Sequence, residues 1–384
     1  MQAFICIRCS KIWKFSEIFL SLWRFTTNQW CIGHQSSMKC KAGIWTTWLS
    51  LSEDGVTPRY GDCWRFSDME EYIIIGLVLL LIEICYLQIV KRLRIVDKPH
   101  LQSSHKGAVV RGGGILFYIA YLLWFFIYGM PYPMIFSGLT IMAITSFADD
   151  IHSISPKIRL VLQFVAMIVM LYETHVFNLT LQSLLLLSVV CVGIVNIFNF
   201  MDGINGMTGG CSLVVLLALM GVNLFFLEFI DNHLLVYMLL ADIVFCFFNF
   251  RKHAKCFAGD VGSLSLGMIV VFLLLKLMFA DGHMHWITFV SVYLVDGGLT
   301  ILHRLMLKEN ILTPHKKHAY QIMANELKMP HLAVSGLYMT LQALCCIWFI
   351  VSPSNTTLVL QFVLLVAIYL VFMQKCYRLH EEKR

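Results

Sequence analysis

Charged residues are scarce in this sequence. Lys, Arg, Asp and Glu make up 14% of its 384 residues, whereas 59% of the residues are hydrophobic. This much apolar surface disfavours a soluble all-helical protein with buried helices. A helix that spans a bilayer needs roughly 20 mostly apolar residues, so the composition predicts an integral membrane protein.

The chain also lacks a convincing cysteine framework. Of its 13 cysteines, eight lie in or beside apolar runs, where a thiol behaves as a small hydrophobic group. Cys6 and Cys9 have the spacing of a metal-binding pair, but no second pair accompanies them. A structural zinc site or a disulfide scaffold is therefore not indicated.

The apolar runs are continuous and do not alternate between polar and apolar residues. Continuous runs favour helices, because the backbone inside lipid must satisfy its own hydrogen bonds, whereas a barrel would show alternating segments of about ten residues. We predict an all-α polytopic membrane protein with about 11 transmembrane helices. The candidate spans are 72–90, 112–129, 131–147, 158–173, 178–198, 207–229, 233–250, 262–279, 285–302, 331–351 and 357–373.

Residues 1–68 differ from the rest of the chain. They hold six of the nine tryptophans and eight Lys or Arg residues. No uninterrupted apolar stretch follows the start, so they make a poor signal peptide. Met69 then opens a long apolar run and is a plausible natural start. We interpret 1–68 as an atypical extension with a mis-assigned start, and 69–384 as the membrane domain. A real but unusual N-terminal domain is the alternative.

Basic residues are confined to alternate loops. The segment 91–111 carries six Lys or Arg residues, and the loops 148–157, 251–261 and 303–330 carry one, three and five. The short loops between them carry none. Cytoplasmic loops are enriched in positive charge, so we predict that these four segments and the C-terminus face the cytoplasm. The net charge of +6 then reflects membrane topology, and nucleic acid is not a predicted partner.

The first of four polar clusters on that side is FADDIHSISPKIR, residues 147–159. Its adjacent acids, Asp149 and Asp150, must be solvated, paired or bound to a metal. Mg²⁺ takes a few carboxylates and keeps its other positions for water and phosphate. One acid would bind Mg²⁺ and the other would position or deprotonate a nucleophile. Two solvated loop acids are the alternative. Ser155-Pro156 is typical of a helix start.

The second and third clusters add amides and another acid. Asn196 and Asn199 are three residues apart and share a helix face, and Asp202 follows in a glycine-rich loop. Asp260 stands just before an apolar run, where a helix N-terminus would attract phosphate. The alternatives are a loop whose polar side chains cap helix ends and an Asp260 that is merely an N-cap.

The fourth cluster is rich in histidine and lysine. His315 and His318 flank Lys316 and Lys317, and such groups suit a diphosphate or a sugar phosphate. Nonspecific binding of anionic lipid heads is the alternative. In the basic segment 91–111, His105 and Arg111 precede the three glycines at 112–114. Arg111 could bind phosphate through its guanidinium group.

Three acids interrupt the apolar runs themselves. Glu83, Asp242 and Asp296 lie within predicted spans, where an ionisable residue is a functional candidate by default. Asp296 is the best of the three, because it lies towards the cytoplasmic half of its span.

Four stretches in order resemble the polyprenyl-phosphate N-acetylhexosamine-1-phosphate transferases of glycosyltransferase family 4, relatives of the phospho-MurNAc-pentapeptide translocase. They are ADDIHSISPKIRLVLQ, NIFNFMDGINGMTGG, AKCFAGDVGSLSLG and LTPHKKHAYQ. The resemblance covers about residues 72–325. It implies a multi-span fold in the bacterial inner membrane, a cytoplasmic active site built from loops, and a groove for undecaprenyl phosphate.

The resemblance also implies roles for single residues. It makes Asp149 and Asp150 catalytic and assigns Mg²⁺, with Mn²⁺ as the alternative ion, to Asp150, Asp260 and Asn199. It places substrate at Asp202, His315 and His318, and the polar clusters themselves add Asn196, Arg111 and His105 as substrate-binding candidates. The chain departs from the family pattern at Val110, where many members have proline, and at 251–255. The split pair of histidines looks more like the sugar-phosphate initiators than like the pentapeptide translocase.

The predicted reaction follows from this resemblance. A UDP-N-acetylhexosamine would donate its sugar 1-phosphate to undecaprenyl phosphate, with release of UMP. The product would initiate a cell-envelope polysaccharide such as lipopolysaccharide. The sugar, the polymer and a homodimeric assembly are left open. One alternative is a transporter or flippase for an anionic lipid or sugar phosphate that depends on Glu83 and Asp242. A membrane scaffold without Mg²⁺ dependence is the weakest alternative.

Overall fold

A computed structural model describes residues 66–93, 96–97, 109–174, 180–310, 313 and 315–381. Nearly all of the predicted extension 1–68 and the predicted substrate residue His105 therefore lie outside the described residues. The interpretation of 1–68 stays a prediction. From Glu70 onward, the described residues belong to one compact unit.

The described residues are almost all helical. Two short strands, β1 (Val96–Asp97) and β2 (Val109–Val110), pair in antiparallel fashion. A 3₁₀ helix, Met284–Val290, leads directly into the ninth α-helix. The α-helices are α1 (Phe66–Arg92), α2 (Ile115–Ile127), α3 (Pro133–Ile151), α4 (Pro156–Glu173), α5 (Leu181–Met201), α6 (Met207–Phe225), α7 (Asn232–Asn249), α8 (Gly259–Asp281), α9 (Ser291–Met306), α10 (Ala319–Asn325), α11 (His331–Val351) and α12 (Asn355–Glu381).

Nine helical segments in the described part of the chain are long and apolar enough to cross a membrane. This finding agrees with an all-α polytopic membrane protein. Each of the eleven predicted spans falls on a helix. However, α2 has only 13 residues, and α4 is not among the nine. The count of eleven therefore stays a prediction.

Helix α8 is the central helix of the bundle. It packs against α2, α3 and α5, and 83% of its most apolar 18-residue window is buried. A helix that is apolar on all sides is expected inside a protein core or a membrane, and here other helices enclose it. By contrast, α1 exposes Ile73, Leu77 and Leu81, as expected of a helix whose outer face meets lipid.

The start of α8 is joined to the segment that follows β2. Val110 forms a parallel bridge with Cys256, and the backbone N–H groups of Gly113 and Gly114 donate to the carbonyls of Phe257 and Ala258. A Cβ on Gly114 would lie 2.4 Å from the Cα of Gly262. The glycines therefore let two backbones touch, and this contact brings Arg111 to the beginning of α8.

Candidate active site

The adjacent acids lie in the last turn of α3, which continues to Ile151. We expected them in a loop, so this part of the prediction is wrong. Asp149 Oδ1 accepts a hydrogen bond of 2.6 Å from the Ile154 backbone N–H, and this bond shapes the turn that leads to α4. As predicted, Ser155 is the N-cap of α4 and Pro156 is its first residue, although the serine side chain makes no capping bond.

Asp150 caps the N-terminus of α8. Its two carboxylate oxygens accept hydrogen bonds of 3.0 Å each from the backbone N–H groups of Asp260 and Val261. Arg111 Nε lies 2.8 Å from Asp150 Oδ1, and the Asp150 side chain is only 2% exposed. A carboxylate in this position satisfies unpaired helix donors and interacts favourably with the helix dipole. These contacts engage both carboxylate oxygens, and Asp150 is less exposed than Asp149 and Asp260.

Arg159 joins two of the three acids and is the main residue that the sequence did not reveal. Its Nη1 atom lies 2.5 Å from Asp149 Oδ2 and 2.9 Å from Asp260 Oδ2. Arg111 Nη2 lies 3.3 Å from the other Asp260 oxygen. The signal for Arg159 was its place in the first turn of α4, where a long side chain leans back towards the preceding turn.

Asn199 and Asp202 lie beside this cluster of acids and arginines. Asn199 donates to Ser263 Oγ at 3.2 Å and is within hydrogen-bonding reach of Asp260. Asp202 follows α5 and accepts a 2.6 Å hydrogen bond from the Thr208 hydroxyl. Burial raises the pKa of Asp202 to about 6, and the nearby Asp260 charge acts in the same direction. The structure therefore brings Asn199 and Asp202 close to Asp260; their roles stay predictions.

Asn196 lies one turn deeper than Asn199. Its amide donates to Gln163 Oε1 at 2.7 Å and to the Val192 carbonyl at 2.8 Å. Both bonds are internal to the packing of α4 and α5. Its predicted role in substrate binding stays a prediction, and in this structure Asn196 orients Gln163.

A cleft opens between α3, α4 and α8. It is narrow and opens to the outside of the bundle. Arg159 and Asp260 lie at its polar side, and the other lining residues are Met142, Thr145, Ser146, Leu162, Gln163 and Leu264. The cleft therefore combines charged groups with a mostly apolar wall.

Asp296, a buried acid of α9, holds residues 315–318 in place. We call these residues the histidine segment. His318 Nδ1 lies 3.3 Å from Asp296 Oδ1. The same carboxylate accepts hydrogen bonds from the Ala319 backbone N–H at 3.0 Å and from the Tyr338 hydroxyl at 2.6 Å. His318 is 1% exposed and is the N-cap of α10. Asp296 therefore acts through the histidine segment and is a positioning residue.

The histidine segment packs on the end of α5, next to Asn199. The Phe200 ring lies 6.4 Å from the His315 ring and 6.2 Å from the His318 ring, and the Tyr320 hydroxyl donates to the Phe200 carbonyl. Burial lowers the pKa of His315 to about 3, and neighbouring His318 adds to this effect. His315 is therefore a neutral imidazole at physiological pH.

A divalent cation fits the donors at the cluster of acids and arginines. Asp149 and Asp260 each direct one oxygen at the same atom, Arg159 Nη1, so the two carboxylates already converge on a positive charge. Three acids face two arginines there. Asp149, Asp260 and Asn199 are the residues that could hold Mg²⁺, which prefers oxygen ligands. Asp150 is the least available.

Glu83 and Asp242, the acids that a transporter would use, are fully buried. Asp242 accepts a 2.8 Å hydrogen bond from the Ser212 hydroxyl and a weaker one from Cys246. Glu83 Oε1 accepts a bond from the Cys256 thiol at 3.5 Å. Asp242 thus bonds across to α6, whereas Glu83 Oε2 has no hydrogen-bond partner among the described residues.

We expect Gly259→Ala to abolish the predicted transfer of sugar 1-phosphate. Gly259 has φ +71°, and a Cβ there would lie 2.7 Å from both Asp150 Oδ2 and the Gly112 backbone nitrogen. A side chain in the left-handed region costs about 1–2 kcal/mol, and the clash would displace Asp150 from the end of α8. Gly193→Ala on α5 is the matched control, since nothing lies within 4 Å of its added Cβ. Equal activities of the two variants in membranes would contradict the proposed contact.

Several known proteins are similar to this chain in sequence. Residues 132–278 match the description "Glycosyl transferase family 4". A probable undecaprenyl-phosphate N-acetylglucosaminyl 1-phosphate transferase of Bacillus subtilis is 26% identical over an alignment of 281 residues. The alignment covers 66% of this chain and 77% of the relative. An undecaprenyl-phosphate alpha-N-acetylglucosaminyl 1-phosphate transferase of Escherichia coli O157:H7 is 28% identical over 269 residues, with 62% and 71% covered. The Thermotoga maritima protein of that name is 23% identical, with 62% and 75% covered.

Proposed function

We propose that this chain, whose residues 132–278 match glycosyl transferase family 4, is a polyprenyl-phosphate sugar-1-phosphate transferase. The donor is a UDP-N-acetylhexosamine and the acceptor is undecaprenyl phosphate, the lipid in the names of the relatives. The convergence of Asp149 and Asp260 on Arg159, at the mouth of a partly apolar cleft, carries the proposal. Such a site suits a phosphate attached to a lipid chain.

In the proposed reaction, an oxygen of the lipid phosphate attacks the β-phosphorus of the UDP-sugar. The bond between that phosphorus and the bridging oxygen breaks, and UMP leaves with the electron pair. Positioning and neutralisation of charge do most of the work in phosphoryl transfer. The arginines at positions 111 and 159 are placed to bind phosphate oxygens, and Asp149 is placed to orient the lipid phosphate or accept its proton.

The other residues support this geometry. Asp150 holds the start of α8, so that Asp260 in its first turn faces Arg159. His315, as a neutral imidazole, can donate or accept one hydrogen bond from the sugar or its phosphate without adding charge. When bound by Asp149, Asp260 and Asn199, Mg²⁺ would supply charge stabilisation for the diphosphate. Mn²⁺ is the alternative ion.

We also propose that this end of the bundle faces the cytoplasm of a bacterial inner membrane. The basic loops lie at the same end as the candidate site, and positive charge marks the cytoplasmic side. A nucleotide sugar from the cytosol would then reach the site directly. The product would enter the synthesis of a cell-envelope polysaccharide.

UMP release tests the proposal. Membranes that contain the chain are incubated with undecaprenyl phosphate, Mg²⁺ and single UDP-N-acetylhexosamines. We expect UMP release that depends on the lipid, on Mg²⁺ and on one of the sugars, and that is lost in Asp149→Asn. The absence of UMP with every donor, in well-inserted protein, would contradict the proposal and favour transport of an anionic lipid or sugar phosphate.

Asp202 gives a prediction about pH. Its pKa is raised from the ordinary value of about 4 to about 6 by burial, so the folded protein holds this proton more tightly than the unfolded chain does. Folding stability from this group therefore falls as the pH rises from about 4 to about 6. In Asp202→Asn, the unfolding temperature should fall less over that range than in the parent protein. Identical pH profiles of unfolding would contradict the raised pKa.

A further inference from the structure

A second cluster of ligand-type side chains lies at the opposite end of α8 from the acids and arginines. Asp281 is the last residue of α8, and Gly282 follows with φ +75°. His283 and His285 come next, at the start of the 3₁₀ helix. Since α8 has 23 residues, the two clusters are separated by about 35 Å of helix.

The three side chains have the spacing that a small cation needs. Asp281 Oδ2 lies 3.2 Å from His283 Nδ1 and 3.3 Å from His285 Nε2. One ligand atom from each residue lies within 4.8 Å of the others, and no other such group of His, Cys, Asp or Glu occurs among the residues that the structure describes. Ligand atoms about 2.0–2.1 Å from a tetrahedral ion are about 3.3 Å apart.

The surroundings of His285 are a second, independent indication of a metal-binding site. His285 is 8% exposed, yet neither ring nitrogen makes a hydrogen bond within the described part of the chain. Its Nε2 atom approaches Asp281 Oδ2 at 3.3 Å, but a buried imidazole nitrogen without a hydrogen bond is costly, whereas a metal would use one of the ring nitrogens directly. The rings of His285 and Phe349 lie 5.0 Å apart, so packing fixes the orientation of the imidazole.

The other two residues suit the same ion. Asp281 Oδ2 accepts a 2.8 Å hydrogen bond from Trp286 Nε1, the kind of outer contact that orients a ligating carboxylate. The His283 ring stacks on the His285 ring, with centroids 4.9 Å apart and planes at 10°. Its Nδ1 atom also lies 2.9 Å from the Asp281 carbonyl oxygen, but its side chain is 60% exposed, so the ring has room to turn towards an ion.

We propose that Asp281, His283 and His285 form a site for a divalent transition-metal ion of the Zn²⁺ type. Two imidazoles and one carboxylate favour Zn²⁺ and its neighbours over Mg²⁺, which prefers oxygen ligands. The ion would tie the end of α8 to the 3₁₀ helix that leads into α9. It takes no part in the proposed transfer reaction, and the site stands whether or not that reaction is correct.

The test measures metal binding by the full chain, purified in detergent through a tag without histidine. The protein is stripped of metals, and millimolar Mg²⁺ is then added to fill oxygen-ligand sites. Co²⁺ serves as the probe, because its visible absorption reports coordination, and Zn²⁺ serves as the competitor. We expect one saturable Co²⁺ per chain that Zn²⁺ displaces. His283→Ala and Asp281→Asn should each weaken binding at least about tenfold.

His253→Ala is the matched control, because His253 is exposed and lies outside the cluster. It should leave Co²⁺ affinity unchanged. His283→Ala also avoids the folding risk of a change at buried His285, and it should retain UMP release. Saturable binding that survives His283→Ala would place the ion elsewhere, for example at Cys6 and Cys9, and would overturn the proposal. So would the absence of saturable binding in the parent protein.

Discussion

Asp260→Asn is expected to lower UMP release at least about 100-fold, the usual cost of removing one group that stabilises a transition state. One Asp260 oxygen forms an ion pair with Arg159, and the other forms an ion pair with Arg111. Asparagine keeps the size of the side chain but removes the charge that holds both guanidinium groups. It also removes one of the three residues proposed to hold Mg²⁺. The loss should therefore persist at saturating Mg²⁺ and at saturating donor.

Glu228→Gln is the control for the charge change in Asp260→Asn. Glu228 is exposed and lies between α6 and α7, at the other end of the bundle. Both variants should be recovered in the membrane at the level of the parent protein. Near-normal turnover of Asp260→Asn would rule out a role for this carboxylate in the reaction.

Asp296→Ala is expected to have the second-largest effect, through the histidine segment. The carboxylate of Asp296 is 3% exposed and holds His318, the start of α10 and Tyr338. Removing one partner from such a buried network costs about 3–5 kcal/mol. We expect a lower unfolding temperature together with a loss of UMP release, because His315 and His318 would no longer be held against Phe200.

A graded series separates positioning from folding at Asp296. Tyr338→Phe removes a single 2.6 Å hydrogen bond and should raise the KM for the UDP-sugar more than it lowers kcat. Asp296→Asn should fall between the two other variants. If Asp296→Ala unfolded at a lower temperature but kept the KM of the parent protein, Asp296 would support the fold alone.

The sequence predicted the parts of the site that depend on local patterns. Asp149 and Asp260 stand at the ends of apolar runs, and both lie near helix ends, although α3 continues past its run to Ile151. The histidine pair was found by its spacing, and Asp296 by its charge within an apolar run.

The sequence could not predict contacts between distant segments. Asp150 caps a helix that begins 109 residues later, and no local pattern marks such a cap. Arg159 looked like one more basic residue of a cytoplasmic loop, yet it joins two acids from different helices. The acids were also placed in the loop 148–157 because the apolar run before them ends at residue 147, whereas α3 continues through both of them to Ile151. The arginines at positions 111 and 159 lie within ion-pair distance and offset the charge of the two acids there.

The enclosure of α8 also bears on how the chain enters a membrane. Its most apolar window has a mean hydropathy of 2.3, although 83% of that window is buried by other helices. A core helix of a soluble protein does not have to enter a bilayer. A segment as apolar as α8, in contrast, can insert into the bilayer by itself. Neighbouring helices can then surround it by van der Waals packing and exchange lipid contacts for protein contacts. The apolar surface of α8 therefore serves twice, first in insertion and later in assembly of the bundle.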